Sequence, residues 1–300
     1  MDVSRAKTVL IYTFLILNIF LISQILLDKG GGKTGLFGRK EEMSKLEAAL
    51  QQAGLFLETS LPKDGTALAH IVVEPWHFKP EEIILDLYGA FADDEKSSYA
   101  EPGQVEMINE TVGESFTAYR FEDFELHINK KGVITFKKTG GEKLLKELHA
   151  EEMEQIAYEL CRKIPFLENY GYDYSQKNTK KTVTVNFSQD YEGFPLYAGY
   201  LHFLMEKEAL VKLCFYRLEP RNFVGQEREI IPPSTALLRF AEIYDTNAEV
   251  KGKTEIIGFS LGFYSRQYDA ERWEIPPVWR IRLNNDEIYY VNAFTGILEQ

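Results

Sequence analysis

The segment Gly258-Phe-Ser-Leu-Gly262 is the part of the sequence that comes closest to a catalytic motif. It matches G-x-S-x-G, in which a serine nucleophile stands on a sharp turn between a strand and a helix and uses a later histidine. Here the residues around Ser260 alternate as in a strand that continues beyond the serine, and the last histidine, His202, precedes it. The pattern therefore predicts a strand whose glycines face bulky neighbours rather than a hydrolase site.

Two further motifs are incomplete. Gly31-Gly-Lys-Thr34 resembles the end of a phosphate-binding loop, but position 27, where that loop needs its first glycine, is leucine. The histidines are scattered, with no C-x-x-C or H-x-x-x-H spacing for a metal. Cys161 and Cys214 are interpreted as buried thiols on a helix and a strand, with one disulfide as the alternative. The sequence predicts no enzyme, no cofactor and no metal site.

A long apolar run lies near the amino terminus. Val9 to Leu27 contains no charged residue, and a helix of that length spans the bilayer core of about 30 Å. A cleaved signal peptide is the first alternative, but it has a shorter apolar region and a small-x-small cleavage site, which is missing here. A buried soluble helix is the second alternative, and it lacks the polar residues for a wet face. We expect residues 1–28 to form a cytoplasmic stub and a transmembrane anchor.

Charges beside the run predict its orientation. Arg5, Lys7 and the amino terminus precede it, and Lys29 and Lys33 follow it. Basic residues at a short amino-terminal segment favour the cytoplasmic side. The prediction is a single-pass cell-membrane protein with its amino terminus in the cytoplasm and residues 28–300 outside.

Polar residues inside the run are candidates for contact with another membrane helix. Thr13 and Gln24 are eleven residues apart and share one helix face, whereas Asn18 faces another way. Polar side chains that hydrogen-bond between membrane helices contribute about 0.6–2 kcal/mol each. Thr13, Asn18 and Gln24 are the predicted partner-contact residues, and the alternative is a single span that tolerates a few polar groups.

The remainder of the chain is acidic. The whole chain carries a net charge of −12 while its first 40 residues carry +4, so residues 41–300 carry −16. A nucleic-acid surface needs clustered lysine and arginine, so this charge argues against nucleic acid as a partner. A solvated acidic surface is the simplest interpretation.

Helical and strand patterns alternate along this acidic body. A Gly-rich linker is predicted at 29–40, and helices are predicted to begin near 41, 143 and 234, each followed by antiparallel strands. The fold class is α+β, with helices on one face of antiparallel sheets. We expect a first α+β domain at 41–140 and a second region at 141–300 of two similar halves, 141–231 and 232–300. Residues 83–91 are predicted to be a strand.

Both ends of the chain resemble a known family. The opening Met-Asp-x-Ser-basic-x-Lys-Thr, which runs into LIYTFLILNIFLISQ, resembles the YycI family, although Val3 stands where that family commonly has tryptophan. The ending WRIRLNNDEIYYVNAFTGILEQ resembles the closing hairpin of that family and the Tyr-x-Val-x-Ala-x-x-Gly-x-Ile close of PepSY-type modules. The resemblance covers the anchor and the last two helix-and-strand cycles best, and it implies an extracellular body of repeated PepSY/cystatin-like units.

The resemblance also implies a function. YycI-like proteins act, with a YycH-like partner protein, on the essential sensor histidine kinase that controls cell-wall metabolism in Gram-positive bacteria, in part through membrane helices. The expected function is therefore an anchored accessory regulator without catalytic residues. The alternative is an extracellular PepSY-like binding or inhibitor module that acts on a cell-wall enzyme or peptidase.

Overall fold

The structure is a computed structural model of the chain. It describes residues 36–63, 67–91, 104–108, 116–145, 152–168, 170–178, 182–206, 209–244, 253–266, 268 and 270–299.

The described residues form a mixed α+β fold in which strands dominate. Four α-helices lie in this part of the chain: α1 (Leu36–Gln52), α2 (Pro80–Phe91), α3 (Met153–Lys163) and α4 (Pro233–Ile243). The first eight strands are β1 (Leu55–Leu57), β2 (Ala67–Pro75), β3 (Glu106–Ile108), β4 (Phe116–Phe121), β5 (Phe124–Asn129), β6 (Ile134–Lys138), β7 (Tyr170–Asn178) and β8 (Thr182–Tyr191). The next eight are β9 (Phe194–Glu206), β10 (Leu210–Tyr216), β11 (Leu218–Glu229), β12 (Thr254–Phe263), β13 (Trp273–Ile275), β14 (Pro277–Leu283), β15 (Ile288–Asn292) and β16 (Leu298–Glu299). The predicted α+β class is confirmed at this level.

Helix α2 corrects one prediction, because residues 83–91 are helical and not a strand. Its buried side chains, Ile83, Ile84, Leu87, Tyr88 and Phe91, recur at helical spacing. Proline at the first helical position followed by two glutamates is also typical of a helix start. A short apolar run fits both a strand and a buried helix. The spacing of its apolar residues favours a helix only when the flanking residues are considered with it.

Helix α1 begins earlier than the composition predicts. It starts at Leu36, so residues 36–40 of the predicted linker at 29–40 belong to the helix. Its end follows the prediction, since Gly54 adopts φ 71° just beyond it, a conformation that glycine takes readily after a helix. Leu46 and Leu50 bury the inner face of this helix.

Most strands belong to one large sheet of 13 strands. Its main order is β16-β15-β14-β12-β9-β10-β6-β5-β4-β3, with β1 beside β12 and with β7 and β8 on the far side of β9. Almost all neighbours are antiparallel, but β1 and β9 each run parallel to β12. A second sheet has the order β11-β2-β13. The sequence-predicted hairpins β5–β6 and β14–β15 are both confirmed by their antiparallel registers.

Two hydrophobic cores share this framework. The first contains α2, α3 and the strands β4 to β6 and β8 to β10. The second joins residues from both ends of the described chain, such as Leu50 of α1, Ile71 of β2, Phe240 of α4 and Trp279 of β14. Contacts within one core are therefore made by segments that lie far apart in sequence. The domain boundaries expected at 140 and 231 stay predictions.

Candidate functional site

Ser260 occupies the middle of β12, as the alternating pattern predicted. Its hydroxyl lies 2.9 Å from the Tyr197 hydroxyl of β9, and the residue faces Arg280 across the β12–β14 pairing. This contact holds two strands together and brings no general base to the serine. The described geometry around Ser260 gives no support for a serine nucleophile.

The two glycines of the same motif make room for large side chains. A Cβ at Gly258 would lie 2.5 Å from Arg282 Nε. A Cβ at Gly262 would lie 2.5 Å from the Pro195 carbonyl oxygen and 2.6 Å from the Tyr197 ring. Both glycines therefore permit the close approach of neighbouring groups, which is the role expected of glycine inside a strand.

On the β14 face opposite the second core, an arginine of β14 packs on a tyrosine of β9. Trp279 and Ile281 enter the core, whereas the Arg280 guanidinium lies over the Tyr197 ring at 4.4 Å from its centroid. Alternation placed Arg280 on the outer face correctly, but the residue is only 5% exposed. The ring of Tyr197 covers it, so this arginine stabilises the interior and is not a surface charge.

A cleft of about 470 Å³ opens on another part of the molecule, close to the boundary between the two cores. We call it the Trp76 cleft. Its lining residues are Pro75, Trp76, Phe78, Lys130, Lys131, Gly132, Tyr216, Arg217, Tyr268 and Ala270. They come from four separate segments of the chain, and the volume falls within the range of roughly 300–1,000 Å³ that small-ligand pockets occupy.

The hairpin turn between β5 and β6 supplies the lysines of the cleft. The Asn129 carboxamide oxygen accepts hydrogen bonds from the Lys131 and Val133 amides, each at 2.9 Å. Gly132 adopts φ 78°, and a Cβ there would sit 3.6 Å from the Tyr216 ring. The turn is thus fixed by the side-chain hydrogen bonds of Asn129 and by the left-handed conformation of Gly132, which glycine favours, and it packs against an aromatic wall of the cleft.

Arg217 lies where the chain passes from the large sheet to the small one, between β10 and β11. Its guanidinium lies 5.2 Å from the Trp76 ring centroid and donates a hydrogen bond to the Phe166 carbonyl oxygen. The neighbouring backbone is held on both sides. The Tyr170 hydroxyl donates to the Tyr216 carbonyl oxygen at 2.8 Å, so Arg217 is presented by an ordered segment.

A buried glutamine, Gln189, holds the backbone on the other side of Arg217, at the start of β11. The Gln189 amide nitrogen donates to the Leu218 carbonyl oxygen at 2.7 Å, and the Leu218 amide donates to the Gln189 side-chain oxygen at 3.1 Å. Gln189 is 1% exposed. Its side chain lies over Gly199, where a Cβ would come within 2.3 Å of the Gln189 side-chain oxygen. This pairing imitates a strand hydrogen-bond pair and satisfies two backbone groups that would otherwise be orphaned.

The floor of the cleft is aromatic. Ring centroids of Trp76 and Phe78 are 4.7 Å apart, and those of Trp76 and Phe166 are 5.5 Å apart. Tyr216 is buried, whereas Tyr268 at the rim is 49% exposed. Tilted aromatic clusters of this kind hold their geometry well, so they provide a firm apolar surface.

Charge in the cleft opposes that of the body. Its described lining residues include Lys130, Lys131 and Arg217 and no carboxylate. Within the described segments, neither Lys130 nor Arg217 forms an ion pair with an acidic side chain. A basic cleft on a body of net charge −16 therefore attracts anions locally.

Burial also changes the pKa of several side chains inside the first core and next to it. It raises the pKa of the Cys161 thiol to about 12 and that of the Tyr200 hydroxyl to about 12. It lowers the pKa of His202 to about 4. Cys161 and Cys214 are both free thiols on the predicted helix and strand, but only Cys161 is buried as predicted, because Cys214 is half-buried. His202 is a neutral aromatic neighbour of Tyr200 at pH 7, with ring centroids 4.6 Å apart.

The residues predicted to contact a membrane partner or to set topology lie outside the described residues. They are Arg5, Lys7, Thr13, Asn18 and Gln24. Among the helices that the structure does describe, none combines the length and apolar character needed to cross a membrane. No three His, Cys, Asp or Glu side chains of the described segments come together as a metal site.

Sequence reasoning missed the Trp76 cleft. Its described lining residues fall at 75, 76, 78, 130–132, 216, 217, 268 and 270, so no local motif marks it. One signal was present in the paired lysines beside a turn glycine, in a chain that is otherwise acidic. Only the packing of the two cores shows that this turn faces Trp76 and Arg217.

Comparisons with known proteins define the class. The fold is similar to an uncharacterized protein from Eubacterium rectale, with a TM-score of 0.56 and 13% identity over 82% of this chain and 91% of that chain. The C-terminal domain of YpeB from Bacillus megaterium gives a TM-score of 0.40 and 9% identity over 74% of this chain and 96% of that chain. A search of curated proteins found no match. The first likeness shows a shared α+β fold.

The family follows from a match that covers most of the sequence. Residues 38–294 match the family described as YycI protein, so the chain belongs to the YycI family. The resemblance noted at the two ends of the sequence is thereby confirmed. This is a regulatory, non-catalytic family, and membership indicates a regulator associated with the YycFG two-component system.

Proposed function

We propose that this chain is a membrane-anchored accessory regulator of the sensor histidine kinase of that two-component system, which controls cell-wall metabolism. The observation that carries the proposal is the family match over residues 38–294. The uncharged run from Val9 to Leu27 supports the anchor. The amino terminus lies in the cytoplasm and the acidic body outside, in the cell membrane of a Gram-positive bacterium.

The anchor is the surface through which the regulator acts. Its helix packs against the membrane helices of the kinase, with a YycH-like protein as a second partner. Thr13, Asn18 and Gln24 contribute the interhelical hydrogen bonds, since amides in lipid are costly without a partner. A signal is transmitted only if this contact differs in free energy between two states of the kinase.

The body is composed of repeated helix-on-sheet units of the PepSY/cystatin-like kind. The arrangement that supports this is the packing of helices on antiparallel strands in both cores, with α2 and α3 in the first and α1 and α4 in the second. Helix α3 packs with strands β8 to β10 in the first core, and α4 packs with β12, β14 and β15 in the second. The body positions the anchor or senses conditions outside the cell.

Crosslinking in intact membranes tests the anchor. The native chain is compared with a chain whose residues 8–27 are replaced by a poly-Leu/Ala span, and captured proteins are identified by mass spectrometry. Capture of a sensor kinase by the native chain alone is the expected result. Equal capture by both chains would refute a role of the anchor sequence.

A double substitution tests individual residues. Asn18→Leu plus Gln24→Leu should preserve membrane insertion and weaken kinase co-purification, because about 0.6–2 kcal/mol is lost for each polar contact. The matched control, Ile16→Leu plus Ile22→Leu, changes apolar residues only and should leave co-purification at the native level. Unchanged kinase recovery with the Asn18 and Gln24 substitutions would count against the proposed contact.

A second function, an extracellular binding module acting on a cell-wall enzyme or peptidase, is favoured by one observation. The Trp76 cleft presents aromatic rings and three cations in a preformed pocket. If the body alone, released from the membrane, reproduces the cellular effect of the full chain, this second function replaces the first.

A further inference from the structure

The Trp76 cleft has the features of a small-ligand site that the proposed kinase contact does not use. We propose that it binds an acidic saccharide, meaning a sugar ring that carries a carboxylate or a phosphate. The proposal depends on charge, on the kind of apolar surface and on the rigidity of the walls. It does not depend on the anchor or on any kinase.

Charge selects an anion. Lys130, Lys131 and Arg217 line the cleft, and its described lining residues include no carboxylate. The rest of the body is acidic, so an anion that approaches other faces is repelled while the cleft attracts it. Lysine and arginine are the side chains that proteins use for carboxylate and phosphate groups. The Arg217 guanidinium lies 5.2 Å from the Trp76 ring centroid, so its positive charge is held beside the aromatic floor.

The apolar surface selects a ring. Four aromatic side chains, Trp76, Phe78, Tyr216 and Tyr268, supply it, with only Pro75 and Ala270 as aliphatic neighbours among the described lining residues. Flat aromatic faces suit the flat C–H faces of sugar rings, while the tyrosine hydroxyls, lysines and arginine can bond to sugar hydroxyls. A peptide that inserts apolar side chains would instead favour a pocket rich in Leu, Ile and Val, and such residues are missing from that set.

The walls are preorganised for binding. The lysine turn is fixed by the Asn129 side chain at 2.9 Å from two amides. The Arg217 segment is held by Tyr170 and Gln189 through hydrogen bonds of 2.7–3.1 Å to the residues on either side of it. A site with fixed walls loses little conformational entropy when a ligand binds. The volume of about 470 Å³ accommodates a small saccharide.

Trp76 provides the measurement, because it is the half-buried tryptophan. The other two, Trp273 and Trp279, are 9% and 1% exposed. Tryptophan emission of the purified full chain in detergent micelles is recorded during titration at constant ionic strength. Two matched pairs of probes separate charge from ring contact and carboxylate from phosphate: galacturonate against galactose, and glucose 6-phosphate against glucose. Inorganic phosphate is the fifth probe.

We expect at least one acidic sugar to bind about tenfold more tightly than its neutral match, and more tightly than inorganic phosphate. The pair of probes that shows this difference identifies whether the cleft recognises a carboxylate or a phosphate. Lys130→Gln should weaken that binding several-fold, whereas Lys63→Gln, which changes an exposed lysine outside the cleft, should not. Trp76→Phe should abolish the emission change and lower the affinity measured by calorimetry.

Three results would overturn the proposal. Equal binding of an acidic sugar and its neutral match would exclude recognition of charge. If inorganic phosphate binds as tightly as the acidic sugars, the cleft is an anion site that does not recognise the sugar ring. Tighter binding of an acidic, aromatic peptide such as Asp-Phe-Asp than of every saccharide would make the cleft a peptide site. Because no kinase is present in these titrations, they succeed or fail independently of the crosslinking experiment.

Discussion

Gln189 is the residue whose replacement most directly tests how the Arg217 segment is held. Its carboxamide makes both hydrogen bonds to the Leu218 backbone, at 2.7 and 3.1 Å, in a fully buried setting. Gln189→Leu replaces the carboxamide with apolar methyl groups and removes both hydrogen-bond partners of Leu218. Leu218 is then left with an unpaired N–H and an unpaired carbonyl group, both shielded from water.

The magnitude follows from the two orphaned groups. Each buried backbone group without a partner costs about 1–3 kcal/mol, so the free energy of unfolding should fall by about 2–6 kcal/mol. For a body of this size, each kcal/mol changes Tm by roughly 2–4 °C, so Tm should fall by at least about 4 °C. Thermal unfolding of the full chain in detergent micelles, followed by circular dichroism, measures it.

Two further variants make the test specific. Gln226→Leu replaces an exposed glutamine of β11 and should change stability by less than about 0.5 kcal/mol. Gln189→Glu keeps an acceptor for the Leu218 amide but turns a carboxylate oxygen toward the Leu218 carbonyl. Its destabilisation should therefore shrink as the pH is lowered and the carboxyl is protonated, because a protonated carboxyl can donate. A loss below about 1 kcal/mol for Gln189→Leu, or a pH-independent loss for Gln189→Glu, would mean that the Gln189 carboxamide does not stabilise the Leu218 backbone.

Two other predictions concern close packing and acid sensitivity. Gly262→Ala places a Cβ 2.5 Å from the Pro195 carbonyl oxygen and 2.6 Å from the Tyr197 ring, so it should lower the free energy of unfolding by about 1–3 kcal/mol. Gly89→Ala on helix α2 meets nothing within 4 Å and should be neutral or stabilise by about 0.5–1 kcal/mol; equal losses in denaturant titrations would contradict this. Burial lowers the His202 pKa from 6.5 to about 4. The unfolded chain therefore protonates His202 at a higher pH than the folded chain does. The contribution of neutral His202 to stability is full above pH 6.5 and declines between pH 6.5 and 4. His202→Gln should remove that part of the acid sensitivity, and an imidazole NMR titration near pH 6.5 in the folded chain would disprove the shift.

The sequence was sufficient wherever a pattern is local. Alternation predicted β12 through Ser260 and thereby removed the hydrolase interpretation, and the same alternation placed Trp279 and Ile281 inside the second core. Turn residues predicted the hairpin that carries Lys131 and Gly132. Residues 83–91 were misassigned because a short apolar run fits both periods, and only the buried spacing and the preceding proline and glutamates favour a helix.

The candidate site required tertiary information. Arg280 alternates like a surface residue, yet the Tyr197 ring from another strand covers it. The Trp76 cleft combines segments separated by more than a hundred residues, and its charge contrast appears only once Lys130 and Arg217 are brought to the same opening.

The sequence alone was enough to identify the family, the α+β class, the apolar run at 9–27 and the acidic body, because these depend on composition and on short-range periodicity. Tertiary packing established that both ends of the described chain share one core and that Gln189 joins Leu218 across the boundary between the sheets. It also decided that three cations meet an aromatic floor. The physical reason is that hydrophobic burial is not directional and leaves no local sequence pattern to show which distant segments pack together.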